Sequence, residues 1–280
     1  MRWRGREGST NIEDRRGLSG KGIIGGGIGT IIIVLVLYLL GGDPTQILET
    51  TQNTSTQDIS EYKPTAEEQE LAEFTSVVLA ETEKVWTKLF RQEGLVYEYP
   101  KLVLYTNSVS SACGVSGSST GPFYCPGDRK VYIDLSFFNE LRDKFKAPGD
   151  FAIAYVIAHE IGHHVQTLLG TSEKMNSLRN RLSKKEFNKY LVRFELQADY
   201  FAGVWAHYVE RMNLLEKGDL EEALNAASSV GDDRIQKSVQ GYVVPDSFTH
   251  GTSEQRQRWF NKGFKSGDMK GGDTFNAKIL

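Results

Sequence analysis

An uncharged stretch at residues 22–42 constrains this chain more than any other feature of its sequence. Its centre, residues 31–40, consists almost entirely of Ile, Val and Leu. As an α-helix the stretch would be about 31 Å long, which matches the roughly 30 Å thickness of a bilayer's hydrocarbon core. A cleaved signal peptide usually has a shorter apolar core followed by small residues at a cleavage site, and this stretch ends in Gly-Gly-Asp-Pro instead. The sequence therefore predicts an uncleaved transmembrane helix over 22–42.

Charge is distributed unevenly around this stretch. The 280 residues include 33 basic and 36 acidic side chains, but residues 1–21 hold six bases and only three acids. Because Lys and Arg concentrate before the span, the positive-inside rule predicts a single-pass membrane protein with a basic cytoplasmic arm at 1–21. The rest of the chain is then expected on the exoplasmic, periplasmic side. Its acidic excess argues against a nucleic-acid-binding domain.

The beginning of the apolar stretch is rich in glycine, at positions 22, 25, 26, 27 and 29. Small residues four apart let two membrane helices pack closely, so this spacing permits a homodimer, although glycine is also common in membrane helices without a partner. Residues 43–64 are rich in Thr, Gln, Ser and Asn, which predicts a flexible polar linker. We expect one folded domain at 65–280.

The 65–280 region combines helical and strand patterns. A capping box at Thr65 and Glu68 and apolar residues at helical spacing predict a helix that ends near Gly94. Residues 102–105 and 130–135 have the composition of strands.

Two cysteines, Cys113 and Cys125, lie in the Gly- and Ser-rich loop between these predicted strands. They are too few for a structural zinc site, which normally has four ligands. On the exoplasmic side they are expected to form a disulfide, and the alternative is two free thiols.

The strongest chemical signal is the segment His159-Glu160-Ile161-Gly162-His163, which lies on a strongly apolar helix predicted for 151–169. Residues four apart lie on one face of a helix, so both imidazoles can bind the same metal ion. Glu160 is then placed to take a proton from a water molecule activated by that metal. The alternative is a pair of core histidines, but unpaired His and Glu side chains buried on so apolar a helix would be costly.

A catalytic zinc generally takes three protein ligands, so a third is expected elsewhere. Apolar residues from 187 to 205 mark a second amphipathic helix, and Glu195 and Asp199 lie four apart among its apolar positions. Carboxylates that face a core need a cation or hydrogen-bond donors. We expect Glu195 to be the third ligand and Asp199 to accept the second N–H of a ligating imidazole. An ordinary solvated acid pair is the alternative.

These motifs resemble those of the putative neutral zinc metallopeptidase family, membrane-anchored bacterial proteins among the gluzincin-like zincins. The similar stretches cover nearly the whole chain and comprise residues 1–3, 13–16, 121–126, 131–138, 149–152, 159–166, 195–205 and 248–256. The resemblance implies an α+β, zincin-like fold, mostly helical with a small sheet next to the active-site helix. It also implies one zinc ion per chain and hydrolysis of peptide bonds. His159, His163 and Glu195 are the implied ligands, and Glu160 is the implied general base.

Related zincins use a His or Tyr from a late segment to stabilise the oxyanion of the tetrahedral intermediate. The candidate here is His250, supported by Arg256, in a loop before a helix predicted to begin at Ser253. Bracing of that loop is the alternative role for His250. By analogy with zincins, an extended substrate is expected to pair with the strand near 131–135.

Together these features predict a membrane-anchored zinc metalloendopeptidase that acts on peptide or protein substrates. The alternative is a catalytically inactive zinc-binding envelope protein that serves as a binding module or scaffold.

Overall fold

A computed structural model of the chain describes residues 1–17 and 62–280. The helix predicted for 22–42, and all but the last three residues of the linker predicted for 43–64, lie outside these two ranges. Of the helices inside them, none combines the length and the apolar composition that crossing a membrane requires.

Helices dominate the described ranges and a small sheet accompanies them, so the predicted α+β class is confirmed. The α-helices are α1 (Ala66–Gln92), α2 (Ser136–Asp143), α3 (Asp150–Leu168), α4 (Thr171–Arg179), α5 (Lys184–Arg211), α6 (Asp219–Ser229), α7 (Asp232–Gln240) and α8 (Ser253–Ser266). The strands are β1 (Ile12–Asp14), β2 (Lys101–Tyr105), β3 (Ser108–Ser111), β4 (Gly114–Gly117), β5 (Phe123–Cys125) and β6 (Lys130–Asp134).

Capping boxes fix where three of these helices begin. Thr65, Ser183 and Thr252 each accept a hydrogen bond from the backbone three residues on, and the Glu or Gln at that position bonds back to the cap's own N–H. Each box satisfies two N–H groups that a helix otherwise leaves unpaired. The helices predicted from Thr65 and from Ser253 are confirmed.

Four of the strands form one sheet in the order β1-β2-β6-β5. The first three are parallel, whereas β5 runs antiparallel to β6 at the edge. Strand β5 pairs with Lys130, Val131 and Tyr132 of β6, so the first part of β6 is hydrogen-bonded on both sides. The expectation that a substrate pairs with the strand near 131–135 stays a prediction, and β5 covers part of that strand. Among the described strands, β5 is the edge strand that lies next to α3.

A hairpin of β3 and β4 precedes β5 and is covalently joined to it. The Sγ atoms of Cys113 and Cys125 are 2.00 Å apart, and their Cα atoms are 5.8 Å apart, so the expected disulfide is present. A closed loop of this size stabilises a fold by about 3 kcal/mol, chiefly by restricting the unfolded chain. The bond ties the last residue of β5 to the end of the hairpin.

Residues 1–17 pack against the body of the domain. Met1 and Trp3 are buried in the main core, and β1 pairs with β2. The Met1 ammonium group lies 2.8 Å from a carboxylate oxygen of Asp150 and 3.1 Å from one of Asp219. Residues 1–17 therefore belong to the same folded unit as 62–280, and the bounds predicted for an arm at 1–21 and a domain at 65–280 stay predictions.

This packing also brings together the two chain segments that flank residues 18–61. Arg16 donates a hydrogen bond of 3.0 Å from its Nη1 to the carbonyl of Glu68, and Tyr62 lies against Gly17. A helix that crosses a bilayer once places its flanks on opposite sides of about 30 Å of hydrocarbon. The contacts join the described residues on either side of 18–61, and the topology predicted from the sequence, with 1–21 cytoplasmic and 65–280 exported, stays a prediction.

Three glycines let the central helices approach closely. A Cβ atom on Gly203 of α5 would lie 2.0 Å from the carbonyl oxygen of Phe260 in α8, and one on Gly263 of α8 would lie 2.0 Å from that of Tyr200. Gly162 of α3 similarly faces α5, where a Cβ atom would be 2.9 Å from a backbone oxygen. The Gly162 contact sets the distance between α3 and α5, the helices that carry the predicted metal ligands, and the other two contacts set the distance between α5 and α8.

Candidate metal centre

The three residues predicted as metal ligands come together between α3 and α5. Nε2 of His159 is 3.2 Å from one carboxylate oxygen of Glu195, and Nε2 of His163 is 3.5 Å from the other. One donor atom from each residue lies within 4.8 Å of the others. Two imidazole nitrogens and one carboxylate oxygen are a donor set that catalytic zinc sites use, so the residues present fit a zinc ion.

Asp199 holds the far side of His159. Its Oδ1 is 2.9 Å from Nδ1 of His159 and accepts a hydrogen bond of 2.5 Å from the Tyr155 hydroxyl. The carboxylate is completely buried. Burial raises its pKa, but the charges of Arg256 and His159 outweigh burial and hold the pKa at about 2. Asp199 therefore remains a carboxylate and occupies the place expected of it, next to a ligating imidazole.

Arg256 lines the cleft, and its donors are directed at buried acceptors. Its Nε and Nη2 donate to the two oxygens of Asp199 at 2.8 and 3.0 Å, and its Nη1 donates to the carbonyl of Val230 at 3.2 Å. The guanidinium is 4% exposed. Because its donors are directed at these acceptors, the structure assigns Arg256 to Asp199, which differs from the expected support of an oxyanion.

His163 is held from the same helix. Its Nδ1 is 2.8 Å from the side-chain oxygen of Gln166, and its ring stacks on Phe194 with centroids 5.0 Å apart. Gln166 is not among the site residues predicted from the sequence. Its position three residues after His163, on the same helix face, was the available signal.

Glu160 lies beside the ligands and lines the same cleft. The residue is 8% exposed, and burial raises the pKa of its carboxyl above the usual value. A carboxylate of raised pKa is a stronger base near neutral pH, as proton transfer from water requires.

His250 lies at the same cleft and is fixed by Asp232, which is not among the site residues predicted from the sequence. Asp232, the first residue of α7, accepts hydrogen bonds of 2.7, 2.6 and 3.0 Å from the backbone N–H groups of Thr249, His250 and Gly251. Its other oxygen is 3.2 Å from Nδ1 of His250. Burial lowers the pKa of His250, but the Asp232 hydrogen bond and the Glu195 charge outweigh burial and raise it.

The two remaining histidines have structural contacts. His164 donates a hydrogen bond of 2.7 Å from Nε2 to the carbonyl of Glu98, and its Nδ1 accepts one of 3.1 Å from the Tyr124 hydroxyl, so it links α3 to the edge strand β5. Burial lowers its pKa to about 4. His207 lies 2.7 Å from the carbonyl of Phe264.

An open cleft of about 1130 Å³ runs past these residues. It is bounded by β5 and by helices α3, α4 and α5, and much of its lining is apolar. Cleft residues that carry this apolar surface include Phe123, Phe137, Phe187, Leu191 and Phe194. The cleft therefore places an apolar surface next to the candidate metal centre.

Comparisons with known proteins bear on this site. The family model described as "Putative neutral zinc metallopeptidase" matches residues 1–275. The chain is 50% identical over 292 residues to the "Uncharacterized protein YpfJ" of Escherichia coli K12, with both chains covered in full. It is 42% identical over 195 residues to uncharacterized proteins of Mycobacterium bovis and Mycobacterium tuberculosis, covering 66% of this chain and 65% of each relative. No solved structure matches the chain.

The family match includes both described ranges, because it covers the segment at 1–17 and the residues that converge between α3 and α5. The sequence motifs and the geometry of the site both fit a zinc-binding family. This chain belongs to the family described as putative neutral zinc metallopeptidase.

Proposed function

We propose that this protein is a zinc metallopeptidase that hydrolyses peptide bonds with a single zinc ion per chain, at a site of the zincin type. The observation that carries the proposal is the convergence of His159, His163 and Glu195, with a buried carboxylate at position 160 beside them. When bound there, zinc supplies Lewis acidity, which polarises a carbonyl group and lowers the pKa of water.

Glu160 is the proposed general base. Its carboxylate accepts a proton from the water that attacks the scissile carbonyl carbon and then passes the proton to the nitrogen of the leaving amine. The raised pKa of this carboxyl supports both halves of that transfer.

His250 is the proposed donor to the oxyanion. Asp232 fixes the His250 backbone and engages its Nδ1, so Nε2 is the ring nitrogen left for a substrate oxygen. A positioned donor of this kind is typically worth a factor of about 10² to 10³ in kcat.

The edge strand β5 is the proposed platform for an extended substrate, in place of β6. It lines the cleft, and His164 holds it against the helix that carries both histidine ligands. Main-chain hydrogen bonds along β5 would give affinity, and the apolar cleft residues would select bulky apolar side chains.

The test compares the wild-type full-length protein with Glu160→Gln, using zinc analysis and cleavage of unfolded protein substrates. We expect one zinc per chain in both proteins and a fall in cleavage of at least about 100-fold in the variant, because the general base is lost. Glu173→Gln is the matched control, since Glu173 lines the same cleft and is exposed.

Each outcome has a distinct meaning. A wild-type zinc content near zero would end the zinc proposal. Full zinc content with no cleavage of any substrate would favour the inactive binding module. Equal cleavage by wild type and Glu160→Gln would remove Glu160 as the base.

A further inference from the structure

Gln166 is completely buried next to the second histidine of the metal centre. Its Oε1 lies 2.8 Å from Nδ1 of His163. Its Nε2 donates to the backbone carbonyl of Phe194 at 2.7 Å and to the side-chain oxygen of Gln197 at 3.1 Å. All the hydrogen bonds of this amide are therefore made inside the protein.

Backbone carbonyls determine which way this amide points. The carbonyl of Phe194 can only accept a hydrogen bond, so the Gln166 atom facing it is the amide nitrogen. The amide of Gln197 is oriented in the same way, because its Nε2 donates to the carbonyl of Gly272 at 2.8 Å. The side-chain oxygen of Gln197 therefore faces Gln166 and accepts a hydrogen bond from the second N–H of Gln166 Nε2. Reversing either amide would bring an oxygen against a carbonyl oxygen.

The orientation of Gln166 fixes the tautomer of His163. An amide oxygen only accepts, so Nδ1 of His163 carries the proton and Nε2 keeps its lone pair. That Nε2 is the atom that lies 3.5 Å from Glu195 in the candidate site. The stacked ring of Phe194 restrains the imidazole plane at the same time.

We infer that Gln166 is a positioning residue that holds His163 in the tautomer and orientation required to bind a metal through Nε2. The inference rests on the proposed zinc site and extends it beyond the ligands. It also distinguishes the two histidines: His159 is backed by the carboxylate of Asp199, and His163 is backed by a neutral amide. The amide adds no further negative charge to a site that already contains Glu160, Glu195 and Asp199.

The test uses two substitutions in the full-length protein. Gln166→Met keeps the size of the side chain and removes the acceptor, whereas Gln166→Glu keeps an acceptor for Nδ1. Zinc affinity is measured by competition with a chelator, and the imidazole tautomers of the zinc-free protein are measured by ¹⁵N NMR at alkaline pH. Gln69→Met, at an exposed position of α1, is the matched control.

We expect Gln166→Met to bind zinc about 10 to 100 times more weakly than wild type, the usual cost of losing a group that orients a ligating histidine. His163 should lose its preference for the Nδ1–H tautomer in this variant. In Gln166→Glu the tautomer should be retained, and the control should match wild type in both measurements. A purely structural role would lower stability without changing the tautomer.

Two results would overturn the inference. One is an unchanged tautomer with unchanged zinc affinity in Gln166→Met. The other is a His163 imidazole that carries its proton on Nε2 in the wild-type protein or in Gln166→Glu. This second result can be obtained even if Gln166→Met does not fold. Failure of the proposed function can be told apart from failure of this inference. The proposed function fails if the wild-type protein contains no zinc. The tautomer of His163 is measured on the zinc-free protein, so its result does not depend on that finding.

Discussion

Asp232 connects a loop, a histidine and the start of α7 through one carboxylate. Burial raises its pKa, but the hydrogen bond and charge of His250, with the backbone N–H groups, outweigh burial and lower the pKa below its usual value. A carboxyl whose pKa is lowered by folding stabilises the folded state at pH values above its unfolded pKa, and that contribution is lost as the pH falls through the folded pKa.

We therefore expect Asp232→Asn to lower the free energy of unfolding by about 2 kcal/mol at neutral pH, since hydrogen bonds to a charged acceptor contribute about 1.5 to 3 kcal/mol. The difference from wild type should shrink as the pH falls below about 4, where the unfolded Asp is protonated. Denaturant unfolding at several pH values measures this difference. Asp143→Asn, at an exposed ion pair, is the control and should leave stability almost unchanged. If Asp232→Asn lowered the free energy of unfolding by the same amount at every pH, the charge of Asp232 would not be the source of its stabilising effect.

The sequence carries part of the site in local spacing and the rest only in the fold. His159, Glu160 and His163 could be predicted because positions on one helix determine their geometry. Asp232 could not, because its partner at 250 is brought to it by a turn of the chain, and an acid at the start of a helix is ordinary. The hydrogen bonds of Arg256 to Asp199 likewise depend on the fold, because the two residues lie on different helices.

Among the helices, the crossing of α5 and α8 depends on two residues without side chains. Gly203 and Gly263 each face backbone atoms of the other helix, which cannot move aside as a flexible side chain would. Overpacking such a contact typically costs 1 to 3 kcal/mol, and more where backbones must separate.

Gly203→Ala should therefore destabilise the protein by at least about 2 kcal/mol, although alanine favours a helix more than glycine does. It should also lower zinc affinity, because α5 carries Glu195 and α8 carries the arginine that holds Asp199. Thermal unfolding and zinc titration measure the two effects. The control is Lys189→Ala, an exposed position of α5, which should be neutral. A Gly203→Ala protein as stable as the control would mean that the two helices separate at no cost.

Helices could be predicted here more fully than the sheet. A capping box and a repeat of apolar residues act within one segment, so they give the beginning of α1 and the extent of α3 and α5. Strands β1 and β5 have three residues each, too few for a periodic pattern. Their identity depends on partners far along the chain: Ile12 pairs with Leu102.

For the whole molecule, the packing of 1–17 onto 62–280 predicts that both lie on the same side of any membrane. The native cysteines are bonded to each other, so an introduced cysteine can be labelled selectively. Glu7→Cys and Lys217→Cys are at exposed positions of the two ranges. In intact cells, a membrane-impermeant maleimide should label both or neither, and lysis should make both reactive. Labelling of one without the other in intact cells would contradict the docked arrangement.

The pairing of β1 with β2 and the contacts of Met1 with Asp219 also set an order of events during synthesis. Residue 1 leaves the ribosome more than 200 residues before residue 219, which at about 5 to 20 residues per second is an interval of about 10 to 40 s. Throughout that interval Asp219, which receives the Met1 ammonium group, is not yet available, while the uncharged stretch at 22–42 has already emerged. Machinery that recognises this stretch can therefore act before the contacts of Met1 with Asp219 form, and those contacts are a late step in folding.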